Sequence, residues 1–166
     1  MKEFITGMLI GLACLLGFGV TTVFGATEEP VVITEEVQFW AERYGAEYGI
    51  CPEIIEAMVW TESRCDPLAQ SQDKACKGLM QIKPGCHQDR MARLGVRNIF
   101  GTWENMRVGT DYLAELAEDE PDIAVALAKY NGQSDEKIEK ARHGHYSGYV
   151  EQILAIAEEL EARHGK

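Results

Sequence analysis

From Phe4 to Ala26 the chain carries no charged residue, a run long enough to cross the hydrocarbon core of a bilayer as a helix. Any globular unit is expected to begin after it. Lys2 is the only basic side chain ahead of the run and Glu3 comes at once after it, while small residues at Val23 and Gly25 suit cleavage before Ala26. Residues 1–25 are therefore expected to form a signal peptide or a membrane anchor. The remainder is expected to act outside the cytoplasm, secreted or anchored to the outer face of the cytoplasmic membrane. Cys14 lies in mid-run with a poor lipobox match and reads as an apolar buried residue.

The chain beyond the apolar run is acidic. In all there are 16 Lys and Arg against 27 Asp and Glu, a formal net charge of −11. That balance excludes the basic footprint of a nucleic-acid binder, and retention on a polyanionic target by charge alone. Four cysteines, Cys51, Cys65, Cys76 and Cys86, lie after the apolar run. Outside the cytoplasm an even number favours disulfides, and no close CxxC-like pair supports a zinc site, so no metal is expected. Three pairings are open. Cys65 with Cys76 and Cys51 with Cys86 are preferred, the first closing a short loop and the second tying a helix start to a later loop.

The stretch 26–36 contains TEEPVVITEE and reads as an acidic tether; the folded domain is expected over 37–166. Thr34 is a good N-cap, and Val37, Trp40, Ala41, Tyr44 and Tyr48 recur at helical spacing up to Gly49. Pro52 suits a first helical position, and Ile54, Ile55, Met58 and Val59 form an apolar stripe. From Cys65 to Cys86 the pattern breaks into Pro, Gly, Ser, Gln and Lys, as in a long irregular loop. Further helical patterns run over 87–94, 103–118, 122–131, 135–142 and 147–163, with Pro121 opening the third of these and Gly132 closing it. No run alternates as a strand would, so the fold is expected to be mainly α.

Glu62 is the residue with the clearest chemical promise. Ile54, Met58 and Glu62 share one helix face, so a carboxyl ends an apolar stripe. Burial there would raise its pKa and suit it to general acid work. Most carboxylates near helix ends are solvated, and the pattern alone leaves that reading open. The order Glu62-Ser63, then Gly78-Leu79-Met80-Gln81-Ile82, then Ala128-Lys129-Tyr130-Asn131 is similar to the three signature segments of bacterial lytic transglycosylases. Asn105 to Leu113 resembles that family's Asn-x-x-x-Gly-x-x-Tyr-Leu helix, and Tyr149-Val150 agrees near the closing helix. The resemblance is to the soluble-lytic-transglycosylase-like (SLT) domain, a relative of goose-type lysozyme, and covers roughly Val37 to Leu160.

The resemblance implies a lysozyme-like helical domain with a catalytic groove that cleaves peptidoglycan glycan strands between N-acetylmuramic acid and N-acetylglucosamine. It implies Glu62 as the single acid/base, a 1,6-anhydromuramoyl product, and no metal or organic cofactor. It places Ser63, Gly78, Met80, Gln81, Tyr130 and Asn131 along the substrate groove, with Tyr130 orienting the Glu62 carboxyl. Small enzymes of this kind accompany secretion, conjugation or phage complexes, and such a complex is the partner implied here. The bland readings stand beside these: Ser63 and Asn131 as helix ends, Met80 as core filler, Gln81 as a surface amide. Asp66, Asp73 and Asp111 read as solvated or capping residues, and His87, His143, His145 and His164 as surface residues. A hydrolytic muramidase and an inactive glycan-binding module are the competing functions. The segment Lys129-Tyr130-Asn131-Gly132-Gln133 departs from the family's Ala-Tyr-Asn-Ala-Gly, and Cys65 and Cys76 are unusual in the loop after Ser63.

Overall fold

The computed structural model describes residues 29–120 and 122–165. The apolar run of residues 4–26, the expected leader and Pro121 lie outside them. From Val31 onward the described residues form one unit built from seven α-helices. These are α1 (Glu35–Tyr48), α2 (Pro52–Ser63), α3 (Gln88–Leu94), α4 (Thr102–Ala117), α5 (Ile123–Tyr130), α6 (Asp135–Arg142) and α7 (Gly148–His164), with one 3₁₀ turn at Pro84–Cys86. Among the described residues no helix is long and apolar enough to cross a membrane.

The helix boundaries reflect local chemistry. Thr34 Oγ1 accepts from the Val37 N–H at 3.3 Å, and Gly49 closes α1 in the left-handed region at φ 71°. Pro52 opens α2 where a missing N–H costs nothing, and Asp122 caps α5 by accepting from Ala124 N–H at 2.9 Å. Gly132 comes after α5 at φ 67°, so the altered turn beyond Asn131 still has its left-handed residue. Within the expected tether, Val31 is buried and its carbonyl accepts from Arg163 of α7 at 2.8 Å; α1 begins at Glu35.

α2 is the spine of the domain. Every residue from Glu53 to Trp60 is buried, and α1 and α7 pack on it while α4 joins α1 to α5. Ile55, Ala57, Met58 and Val59 are completely inaccessible and merge with Met106, Val108 and Leu113 of α4 and Ile153 of α7 into one core.

The expected disulfides are not formed: Cys51, Cys65, Cys76 and Cys86 are all free thiols. Two of the thiols are committed elsewhere, Cys51 Sγ lying 3.0 Å from Glu53 Oε2 and 3.4 Å from Glu161 Oε1, and Cys65 Sγ donating to the Val32 carbonyl at 3.7 Å. Burial, with Glu53 beside it, pushes the Cys51 thiol up to about 11. The loop is braced instead by backbone pairing. Lys77 and Ile82 exchange N–H···O bonds at 2.8 and 3.0 Å, and the Gly78 N–H donates to Ala69 at 2.8 Å.

Candidate functional site

The last turn of α2 delivers Glu62 to the edge of the core. Its Oε1 accepts a 2.6 Å hydrogen bond from the hydroxyl of Tyr149, in the first turn of α7. Burial raises the Glu62 pKa above the ordinary carboxylate value, and the Tyr149 hydrogen bond opposes part of that rise. The Tyr149 hydroxyl is in turn pushed far above its usual range by burial and then by the charge of Glu62, so it stays a donor. No cation acts on Glu62 among the described residues, which is the setting that lets a carboxyl hold its proton.

Tyr130 does not make the hydrogen bond to Glu62 expected of it. Its hydroxyl donates to the Met80 carbonyl at 2.9 Å, while the Glu62 charge contributes to raising its pKa, behind burial. Tyr130 thereby ties the end of α5 to the 78–82 loop, and its ring packs on Tyr112 at 5.2 Å. Tyr112 packs in turn on His87 at 4.6 Å. His87 is a packed side chain and not a surface one: burial, then Arg90, holds its pKa down. His164 stays at the surface, as expected, with its Nδ1 lying 2.9 Å from the buried Glu53.

The Gly78-to-Ile82 loop is fixed by Asn105 on α4. The Asn105 side chain accepts from Met80 N–H at 2.8 Å and donates to the carbonyls of Lys77 at 2.9 Å and Ile99 at 2.8 Å. Gly78 sits at φ 75°, and a Cβ there would collide with the Asn105 amide. Four residues later on the same helix, a Cβ on Gly109 would collide with the Met80 sulfur. The Asn105, Gly109 and Tyr112 spacing thus has a physical meaning. One residue anchors the loop, one makes room for it, and one packs against the tyrosine that bonds it.

The remaining candidates divide. Met80 is completely buried, so its side chain is core and its backbone is what the loop presents to partners. Gln81 is half-buried at φ 47°, and its Nε2 donates to the Gly78 carbonyl at 2.9 Å. Ser63 Oγ is turned back to the Val59 carbonyl at 3.1 Å. Asn131 is exposed at the end of α5. Among the described residues, the four non-glycine residues with left-handed backbone, Arg64, Cys65, Lys74 and Gln81, fall in this loop region. Each such position costs on the order of 1 kcal/mol, a concentration typical of functional loops.

Among the described residues no second carboxylate acts on Glu62. Asp66 accepts from Leu68 N–H at 2.9 Å and Asp73 from Ala75 N–H at 3.1 Å, as caps. Asp111 is buried rather than solvated, held by Arg90 and Arg93 at 2.7 Å each. Among the described residues the donors Cys51, Glu53 and Glu161 converge, but at the opposite end of α2. Tyr149, Asn105 and Gly109 were visible in the sequence only as matching letters, since the contacts that give them roles span 87, 25 and 29 positions of chain.

The Transglycosylase SLT domain family matches residues 39–149. A protein described as "Transglycosylase" from Enterobacteria phage PRD1 is 31% identical over 114 residues, 67% of this chain and 41% of that protein. "Membrane-bound lytic murein transglycosylase F" from Desulfosudis oleivorans is 34% identical over 98 residues, 55% of this chain and 20% of that protein. The chain therefore spans less than half the length of these relatives. Among solved structures, an inactive glutamate-to-glutamine mutant of the lytic transglycosylase Slt from Pseudomonas aeruginosa aligns with a TM-score of 0.63 at 19% identity. The alignment covers 77% of this chain and 24% of that one, and at this identity it speaks to the fold.

Proposed function

This chain belongs to the Transglycosylase SLT domain family, and from that premise we propose that it cleaves the β-1,4 bond between N-acetylmuramic acid and N-acetylglucosamine, with Glu62 as its only acid/base. The observation that carries the reading is a half-buried carboxyl with a raised pKa, held by one tyrosine hydroxyl and by no cation among the described residues.

The chemistry is set by those surroundings. Protonated Glu62 gives its proton to the glycosidic oxygen as the bond to C1 breaks and an oxocarbenium-like centre develops. Glu62 is then a carboxylate and takes the proton of the muramoyl 6-hydroxyl as that oxygen bonds to C1. The result is a 1,6-anhydromuramoyl end, the acid is regenerated, and no water is consumed. Glycosidases that pair two carboxylates use the second to attack C1 or to activate water. Asp66, Asp73 and Asp111 are each occupied elsewhere, which supports an intramolecular nucleophile. Tyr149 is a positioning residue that fixes Oε1. The Gly78–Gln81 loop, Tyr130 and Asn131 are proposed to line the sugar groove, with Ser63 beside the acid.

Residues 1–25 are proposed to take the domain out of the cytoplasm, as a cleaved leader or a retained anchor, and a secretion, conjugation or phage complex is the proposed partner. Purified sacculi incubated with the full 166-residue chain are expected to lose turbidity and release soluble fragments, whereas Glu62→Gln, folded by circular dichroism, releases none. Equal release by both proteins would reject the reading.

A further inference from the structure

On α1 and α4 a second cleft is lined by Trp40, Arg43, Tyr44, Glu47, Trp103 and Arg107, none of which takes part in the Glu62 hydrogen-bond network. Its volume is about 410 Å³, within the range of small-ligand clefts. The rings are held in place. Trp40 stacks on Tyr44 at 5.4 Å and 19°, Trp103 meets Trp40 at 6.4 Å and 41°, and Tyr44 OH donates to the Trp103 carbonyl at 3.0 Å. Yet Trp103 is 38% exposed, and Phe39, edge-on to Trp40 at 5.0 Å, is 56% exposed. Fixed, half-wet aromatic faces of this kind mark a contact surface.

The rim is charged and not apolar, which separates this cleft from a groove built for a hydrophobic helix. Glu47 meets Arg107 at 3.1 Å, and the Arg43 guanidinium lies over the Trp40 ring at 5.7 Å. In a chain of net −11, most arginines are tied to carboxylates, as in Arg90 and Arg93 on Asp111 or Arg142 on Glu120. Arg43 takes part in no such ion pair among the described residues, so it can receive an external anion. A ligand that fits has a flat apolar face, polar edges and carboxylates.

We propose that this cleft is an ancillary carbohydrate site that holds a peptidoglycan strand, stacking a sugar ring on Trp103 beside Trp40 and pairing stem-peptide carboxylates with Arg43. The proposal rests on the glycan substrate assigned above. It also supplies what the acidic domain lacks, short-range retention on a substrate that repels it at long range.

The test is co-sedimentation of the full chain with purified sacculi in a Glu62→Gln background, so that binding is read without turnover. Adding Trp103→Ala is expected to weaken sacculus affinity about fivefold, and adding Arg43→Gln about twofold, the latter vanishing at high salt. Lys137→Ala, on the exposed side of α6, serves as the control, and thermal unfolding confirms that each variant folds. Unchanged affinity in both folded cleft variants overturns the proposal, as does a loss matched by altered self-association in sedimentation velocity, which would make the cleft a protein–protein face. The two readings fail separately. Sacculus binding that ignores Trp103 while the parent chain still releases Glu62-dependent fragments removes only the cleft; Trp103-dependent binding without such release removes only the catalysis.

Discussion

The two ends of α2 each present an inward carboxylate, and they are treated in opposite ways. At the N-terminal end Glu53 is wholly buried, with His164 Nδ1 at 2.9 Å from one oxygen and the Cys51 thiol at 3.0 Å from the other. At the C-terminal end Glu62 is half-buried and meets one phenol, Tyr149. A carboxylate with a partner on each oxygen, one of them from α7, is held in place and contributes to packing α2 against α7. A carboxyl raised by burial and steadied by a single neutral donor can lose and regain a proton within a catalytic cycle. Position on one helix does not decide function; the partners do.

The sharpest way to break this comparison is Glu62→Gln, expected to lower turnover of sacculi about a thousandfold with the fold intact, measured as fragment release. Asn105→Ala strips partners from one buried N–H and two carbonyls and is expected to cost about 3 kcal/mol in denaturant unfolding, with activity lost as the Gly78–Gln81 loop loosens. Glu53→Ala is expected to cost about 2 kcal/mol by the same assay while turnover per folded molecule stays within about twofold. If Glu53→Ala instead abolished turnover in folded protein, the structural reading of that end would fail.

Tyr149→Phe is expected to lower kcat about tenfold. The pH profile gives the discriminating sign. The Tyr149 bond lowers a pKa that burial has raised, so its removal should move the alkaline limb of the rate profile upward; a downward shift would contradict the geometry. The smallest effect is on stability. Because the folded Glu62 pKa is raised, wild type loses stability as pH rises through it. Glu62→Gln should therefore have the higher Tm near neutral pH, the difference disappearing in acid where the unfolded carboxyl is also protonated.

Much of the fold was legible because its signals are local. Thr34, Pro52, Gly49 and Gly132 mark helix ends through chemistry that acts within one turn, and the helices lie where the apolar spacing put them. Glu62 was legible for the same reason, one face of one helix. Its partner was not. Tyr149 lies 87 positions away and reaches Glu62 only because α7 packs on α2, so a sequence reading gave the hydroxyl to Tyr130, which in fact bonds Met80. The cysteines misled through parity, since an even count says nothing about whether Cys51 faces Cys86 or Glu161. The exposed rings of the second cleft were hidden for a related cause. Trp40 fits an apolar stripe, and only the approach of Trp103 from α4 shows that the two rings line one cleft.

The most direct measurement is mass spectrometry of the soluble muropeptides released from purified sacculi by the full chain. Fragments lighter by one water than their hydrolysed counterparts, absent with Glu62→Gln, are expected if Glu62 alone drives attack by the muramoyl 6-hydroxyl. Fragments ending in a reducing sugar would contradict that account and make water the nucleophile.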